Sequence, residues 1–179
     1  MADTGWLNLT TYSNDASIGT EAWSTPTNAA TEDGTMALCG TGPVAAISNY
    51  LKGLQLVSPP AGLSGSTING IEVQINRKDT GNNNFDSTVK LVKGGTVSGD
   101  NKATATNWDN FVLAFENHGG PSDLWGLSLT SSDVLASNFG VVLSTKADVS
   151  NNLLSYVDVM QMRITYTPGS PSKMLLMFN

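Results

Sequence analysis

Ile68-Asn69-Gly70-Ile71-Glu72-Val73-Gln74-Ile75-Asn76-Arg77 is the stretch that decides the fold. Ile71, Val73 and Ile75 alternate with Glu72, Gln74 and Asn76, the period of two that a strand needs when one face is buried and the other wet. A near-echo spans residues 157–166, with Met160, Met162, Ile164 and Tyr166 on one face and Val157, Val159, Gln161, Arg163 and Thr165 on the other. Two such strands need a second packed surface, so the fold is sheet against sheet.

Working outward, further apolar runs are separated by turn signals. Trp6-Leu7-Asn8-Leu9 and residues 36–39 read as short strands. Residues 44–57 read as a strand entering the core through a bulge or a change of facing, because neither parity stays apolar. Residues 87–92 form a strand after the exposed turn 78–84, and the two runs flanking that turn make a candidate hairpin. Residues 111–116 place Phe111, Leu113 and Phe115 opposite Val112 and Ala114, as expected of a two-sided interior strand. Residues 124–130 set Trp125, Leu127 and Leu129 on one face, Ser132-Asp133 suits a single capped helical turn, and residues 139–145 resume alternation. No recurring helix of 10–15 residues supports parallel crossovers. The expected fold is all-β, an antiparallel β-sandwich, jelly-roll-like, of about eight strands. Three parts are expected: an extended N-terminal arm at 1–35 integrated with the domain, the sandwich at 36–167, and an apolar tail at 168–179.

Composition agrees with sheet and narrows function. The 179 residues include 40 % hydrophobic but only 13 % charged, about half the usual charged share. Asn, Ser, Thr and Gly must therefore supply the polar surface, and they favour turns over helix interiors. A net charge of −6 opposes gripping a phosphate backbone, so no nucleic-acid partner is expected. No run approaches 18 apolar residues and Met1–Asp3 opens no secretory signal, so neither membrane association nor export is expected.

Reactive chemistry is sparse, with one histidine and one cysteine. His118, in Glu116-Asn117-His118-Gly119-Gly120, reads as a turn residue, since no metal-binding spacing accompanies it. Cys39 reads as a small buried residue. Glu72 is the best-placed single acid for glycoside chemistry, but no second acid shares its strand face. Asp79, Asp86, Asp100 and Asp109 lack calcium-loop spacing and read as turn residues. Arg77 closes its strand as a polar rim. No catalytic, cofactor or metal residue is assigned, and no cofactor is expected. Trp6 and Trp125 read as core. Trp23 is a candidate subunit contact, and Trp23 and Trp108 are candidate sugar-stacking rings for an alternative role as a carbohydrate-binding module. After Pro168-Gly169-Ser170-Pro171, the run Met174, Leu175, Leu176, Met177 and Phe178 is awkward in solvent, and it either completes the sheet or docks on a neighbouring subunit.

Several segments together resemble a loosely defined set of tailed-phage and prophage virion structural proteins: Trp23-Ser24-Thr25-Pro26-Thr27-Asn28-Ala29-Ala30, Asp33-Gly34-Thr35-Met36-Ala37, Ile68-Asn69-Gly70-Ile71-Glu72-Val73, Asn138-Phe139-Gly140-Val141-Val142-Leu143 and the strand closing at Ile164-Thr165-Tyr166-Thr167. The resemblance implies a noncatalytic capsid decoration or head-associated protein, made in the host cytoplasm, resident in the virion, oligomeric, and partnered by phage capsid or other virion proteins. A neck or tail structural protein is the alternative location.

Overall fold

The computed structural model describes residues 1–41, 46–148 and 153–169. Their strands are β1 (Ala2–Asp3), β2 (Leu7–Asp15), β3 (Trp23–Ser24), β4 (Ala37–Thr41), β5 (Tyr50–Leu56), β6 (Thr67–Asp79), β7 (Asn84–Lys93), β8 (Thr96–Ser98), β9 (Ala114–Gly120), β10 (Gly140–Ala147) and β11 (Leu153–Thr167), with one helical turn, α1 (Ser131–Val134). Eight of these strands run five residues or longer, and the fold is an all-β antiparallel sandwich.

One sheet is built on β11, which pairs with β6 from Ser155↔Asp79 to Thr167↔Thr67. The other side of β11 is shared in turn by β4, β2 and β1, and β9 lies outside β6. The second sheet runs β2-β5-β10-β7-β8. Consecutive long strands from β4 onward alternate between the two sheets, the jelly-roll-like feature of the path. β2 belongs to both sheets. Its Leu7 and Asn8 pair with Met162 and Gln161, while Leu9–Asp15 pair with β5. The sandwich is thereby closed along one side.

The inner faces follow the alternation. Ile71, Val73 and Ile75 of β6 are wholly buried with Val89 and Leu91 of β7, Val141 and Leu143 of β10, and Met160, Met162 and Ile164 of β11. Each such aliphatic side chain contributes roughly 1.5–3 kcal/mol of transfer free energy. Leu51 and Gly53 of β5 face inward, Gln55 takes φ 64, and Leu56 then returns to the core, which is the expected change of facing. Gly53 is required by space: a Cβ there would stand 2.7 Å from Leu9 Cδ1 and 2.9 Å from Tyr12 Cε1.

Four expectations are corrected. β6 and β7 do not form a hairpin, because both edges of β6 are occupied by β11 and β9 and the chain crosses to the other sheet. The crossing is organised by Asp79, whose carboxylate accepts from the backbone N–H groups of Gly81, Asn82, Asn83 and Asn84 at 3.0, 2.7, 2.9 and 2.9 Å. Residues 111–116 are not an interior strand: Phe111 takes φ 61 with its N–H on the Asp79 carbonyl, and pairing starts only at Ala114. Residues 124–130 form no extended strand. Trp125 sits at φ 56, its indole donating to the Ile71 carbonyl at 2.9 Å, so its burial comes from a turn. In β11 the register shifts between Val157 and Val159, which moves Val157 onto the core face with Met160.

The helical turn is present where Ser132-Asp133 suggested one, capped by Thr130, whose hydroxyl and backbone N–H form a capping box with Asp133. In the first 35 residues β1, β2 and β3 join the sheets. The apolar run Met174–Phe178 lies outside the described residues.

Asp79→Ala removes one acceptor shared by four backbone donors, each bond to a charged group contributing about 1.5–3 kcal/mol where water cannot replace it. Because this loop is only partly buried, we expect a total loss of about 2–4 kcal/mol, with Asp79→Asn falling between it and the unaltered chain. Urea denaturation checks this; a midpoint shift equivalent to less than about 0.5 kcal/mol, within the range of ordinary surface changes, would count against it.

Candidate functional site

The side of the sandwich opposite β2 is filled by residues 99–113, which bond to β7 through Lys102 N–H on the Val89 carbonyl and to the Asp79 loop through Trp108 N–H on the Asn84 carbonyl. Between them lies a polar cluster. Arg77 shares the parity of Ile71, Val73 and Ile75, so it points inward and is 4 % exposed, which corrects its assignment as a polar rim. Its guanidinium meets Asp86 of β7 at 3.1 and 3.3 Å and lies 5.1 Å from the Trp108 ring centroid. Asp86 also accepts from the Trp108 indole at 2.8 Å and from the Thr104 hydroxyl at 3.0 Å. One carboxylate thus ties β6, β7 and the 99–113 segment together. His118 lies within β9 rather than in a turn; its Nδ1 is 2.9 Å from the Lys102 carbonyl and its Nε2 is 3.7 Å from Asp86.

The remaining candidates are structural. Trp23 is 3 % exposed with its indole on the Asn49 carbonyl, and Trp108 is wholly buried. Neither presents a ring to a partner or a sugar, which corrects both assignments. Cys39 is buried, and desolvation, then the nearby Glu21 charge, push its thiol up to about 12, so the thiolate needed of a nucleophile is scarce at neutral pH. Glu72 is held by Arg163 in a two-point ion pair at 2.9 and 2.7 Å. Asp79 and Asp86 are occupied as described, and Asp100 lies 3.7 Å from Lys102. Among the described residues no cluster of three or more His, Cys, Asp or Glu could hold a metal.

Two exposed features remain. The first is the edge of β9, which pairs on one side only. Beside it Phe111, Val112 and Phe115 are 66 %, 64 % and 41 % exposed. A left-handed φ is costly for a bulky residue, yet it is this geometry that holds the Phe111 ring outward. Among the described residues, β1, β3 and β8 also pair on one side only, but they span just two, two and three residues. A seven-residue open edge with aromatic flanks is a pairing surface.

The second is the outer face of the β11 sheet, where register aligns Asn8, Gln161, Gln74 and Asn117 in one row across four strands. Gln161 donates to Asn8 at 2.8 Å. In the adjoining row the half-buried Trp6 ring stacks 4.5 Å from the Arg163 guanidinium, which corrects its reading as a core residue.

Comparison with protein-family models, with curated proteins and with solved structures finds no match.

Asp86→Ala leaves the buried Arg77 guanidinium with only Glu116 at 3.9 Å as a counter-charge and should cost about 3–5 kcal/mol, whereas Arg77→Met with Asp86→Leu should recover only part of that loss, because the Trp108 indole and the Thr104 hydroxyl still lack their acceptor. Equal destabilisation by the single and the double change would contradict the role given to Asp86. For Cys39 the folded thiol holds its proton to higher pH than the unfolded one, whose ordinary value is 9.0. The unfolded state therefore binds fewer protons above pH 9, and this group's contribution to stability falls as pH rises from 9 toward 12. Alkylation by a thiol reagent at pH 8 should accordingly be slow until denaturant is added.

Proposed function

We propose that the protein is a noncatalytic virion structural protein of the tailed-phage kind, a capsid decoration or head-associated component that acts through subunit contacts. The open β9 edge with Phe111, Val112 and Phe115 is the observation that carries this reading, because it offers apolar area and unpaired backbone groups on one surface. The resemblance of residues 23–37, 68–73, 138–143 and 164–167 to virion proteins supports the setting. A neck or tail position would use the same edge. Small contacts suffice in a repeated shell, where many weak sites act together.

The test is solution mass followed by binding to emptied phage capsids and tails. The unaltered chain should self-associate or bind particles, and Phe111→Ser with Phe115→Ser should weaken that association at least tenfold without lowering the melting temperature. A monomer that binds neither particle component would overturn the assignment.

Carbohydrate binding keeps one specific observation in its favour, now on a different surface. The planar amides of Asn8, Gln161, Gln74 and Asn117 beside the Trp6 ring combine polar selectivity with an aromatic platform. If a glycan binds there, Trp6→Ala and Gln74→Ala should each abolish retention on a glycan array while leaving the fold intact; retention unchanged in both variants would remove this second reading.

A further inference from the structure

Resting on the subunit-contact reading, we infer that the β9 edge receives the Met174–Phe178 segment of a second copy, so that each copy gives one segment and accepts one. The edge asks for an extended apolar strand. It is seven residues long, carries Phe115 and Asn117 on its outer face, and is flanked by Phe111 and Val112. Within this chain, Met174-Leu175-Leu176-Met177-Phe178 has that character and lies outside the described residues. Laid antiparallel with Phe178 opposite Phe115, it sets Met174, Leu176 and Phe178 on the same face as Phe115 and forms an aromatic cross-strand pair.

Reach decides which copy supplies it. The described chain ends with Gly169 against the Gly65 backbone. Gly119, where Met174 would pair, lies opposite Glu72. From the level of Thr67 the pairing position outside β9 is five residues along β6 and three strand spacings across, roughly 22 Å. Five residues from Gly169 to Met174 span at most about 17–18 Å when fully extended, and Pro171 lies among them. The direct path is also filled, because residues 121–130 lie beside β6, with Ile71 N–H on the Asp123 carbonyl and Thr67 bridged to Thr130. A copy's own segment therefore falls short of its own edge, while a neighbour's has no such limit. Phe111 and Val112, farther along, are farther still from the chain's own Gly169.

The test uses two full-length variants: a segment variant, Leu175→Asp with Leu176→Asp, and an edge variant, Val112→Asp with Phe115→Asp. The unaltered chain should be oligomeric and each variant monomeric by light scattering, with melting temperatures confirming that both fold. Mixed together, the variants should form a one-to-one complex, since one retains the edge and the other the segment. A labelled peptide of residues 170–179 should bind the segment variant at least tenfold more tightly than the edge variant. A segment variant that assembles as well as the unaltered chain, or a mixture that forms no complex, overturns the inference while the subunit-contact reading stands. A monomeric unaltered chain also overturns it, and only failure to bind emptied capsids and tails as well removes the reading beneath it.

Discussion

The pairing of β6 with β11 is the constraint on which the rest depends. Its ladder runs from Ser155↔Asp79 to Thr167↔Thr67 with two register shifts, and it fixes which residues face the core on both strands. Because side chains alternate with period two, a one-residue slip between them would turn outward either Ile71, Val73 and Ile75 or Met160, Met162 and Ile164. Everything else in that sheet is fitted to the two remaining edges. β9 takes one; β4, β2 and β1 divide the other.

This explains what the sequence disclosed. The alternation in residues 68–77 reports a strand buried on one face, and the structure extends it only by a few residues at each end. The faces of Met160, Met162, Ile164 and Tyr166 were equally legible. Val157 was misplaced because a bulge leaves no mark in composition. The bulge is stabilised by a distant partner, since the Asp158 carboxylate accepts from the Gly34 N–H at 2.9 Å.

The misreadings share a cause. Residues 111–116 and 124–130 alternate as strands do, yet Phe111 and Trp125 adopt left-handed backbone: the Phe111 backbone N–H is captured by the distant Asp79 carbonyl, while the Trp125 backbone N–H goes to the Asp123 carboxylate and its indole N–H to the distant Ile71 carbonyl. Long-range capture overrides local periodicity. The polar cluster was more accessible: Arg77 lies in register with three buried aliphatics, and parity alone places it inside. What parity could not supply was its partner, because Asp86 arrives from the other sheet and Trp108 from a segment whose polar composition conceals its packing.

Taken with the sheet order, β2 and the Arg77–Asp86 cluster define opposite sides of the same sandwich. β2 is shared by both sheets and joins them through its backbone, while the ion pair, with Trp108 and Thr104, forms a latch between β6 and β7. The sandwich is thus closed by backbone pairing along one side and by side chains along the other. Loss of the latch would part the sheets along the β9 side first, exposing the core beside the very edge that is already unpaired, whereas β2 would hold the two halves in register for closing again.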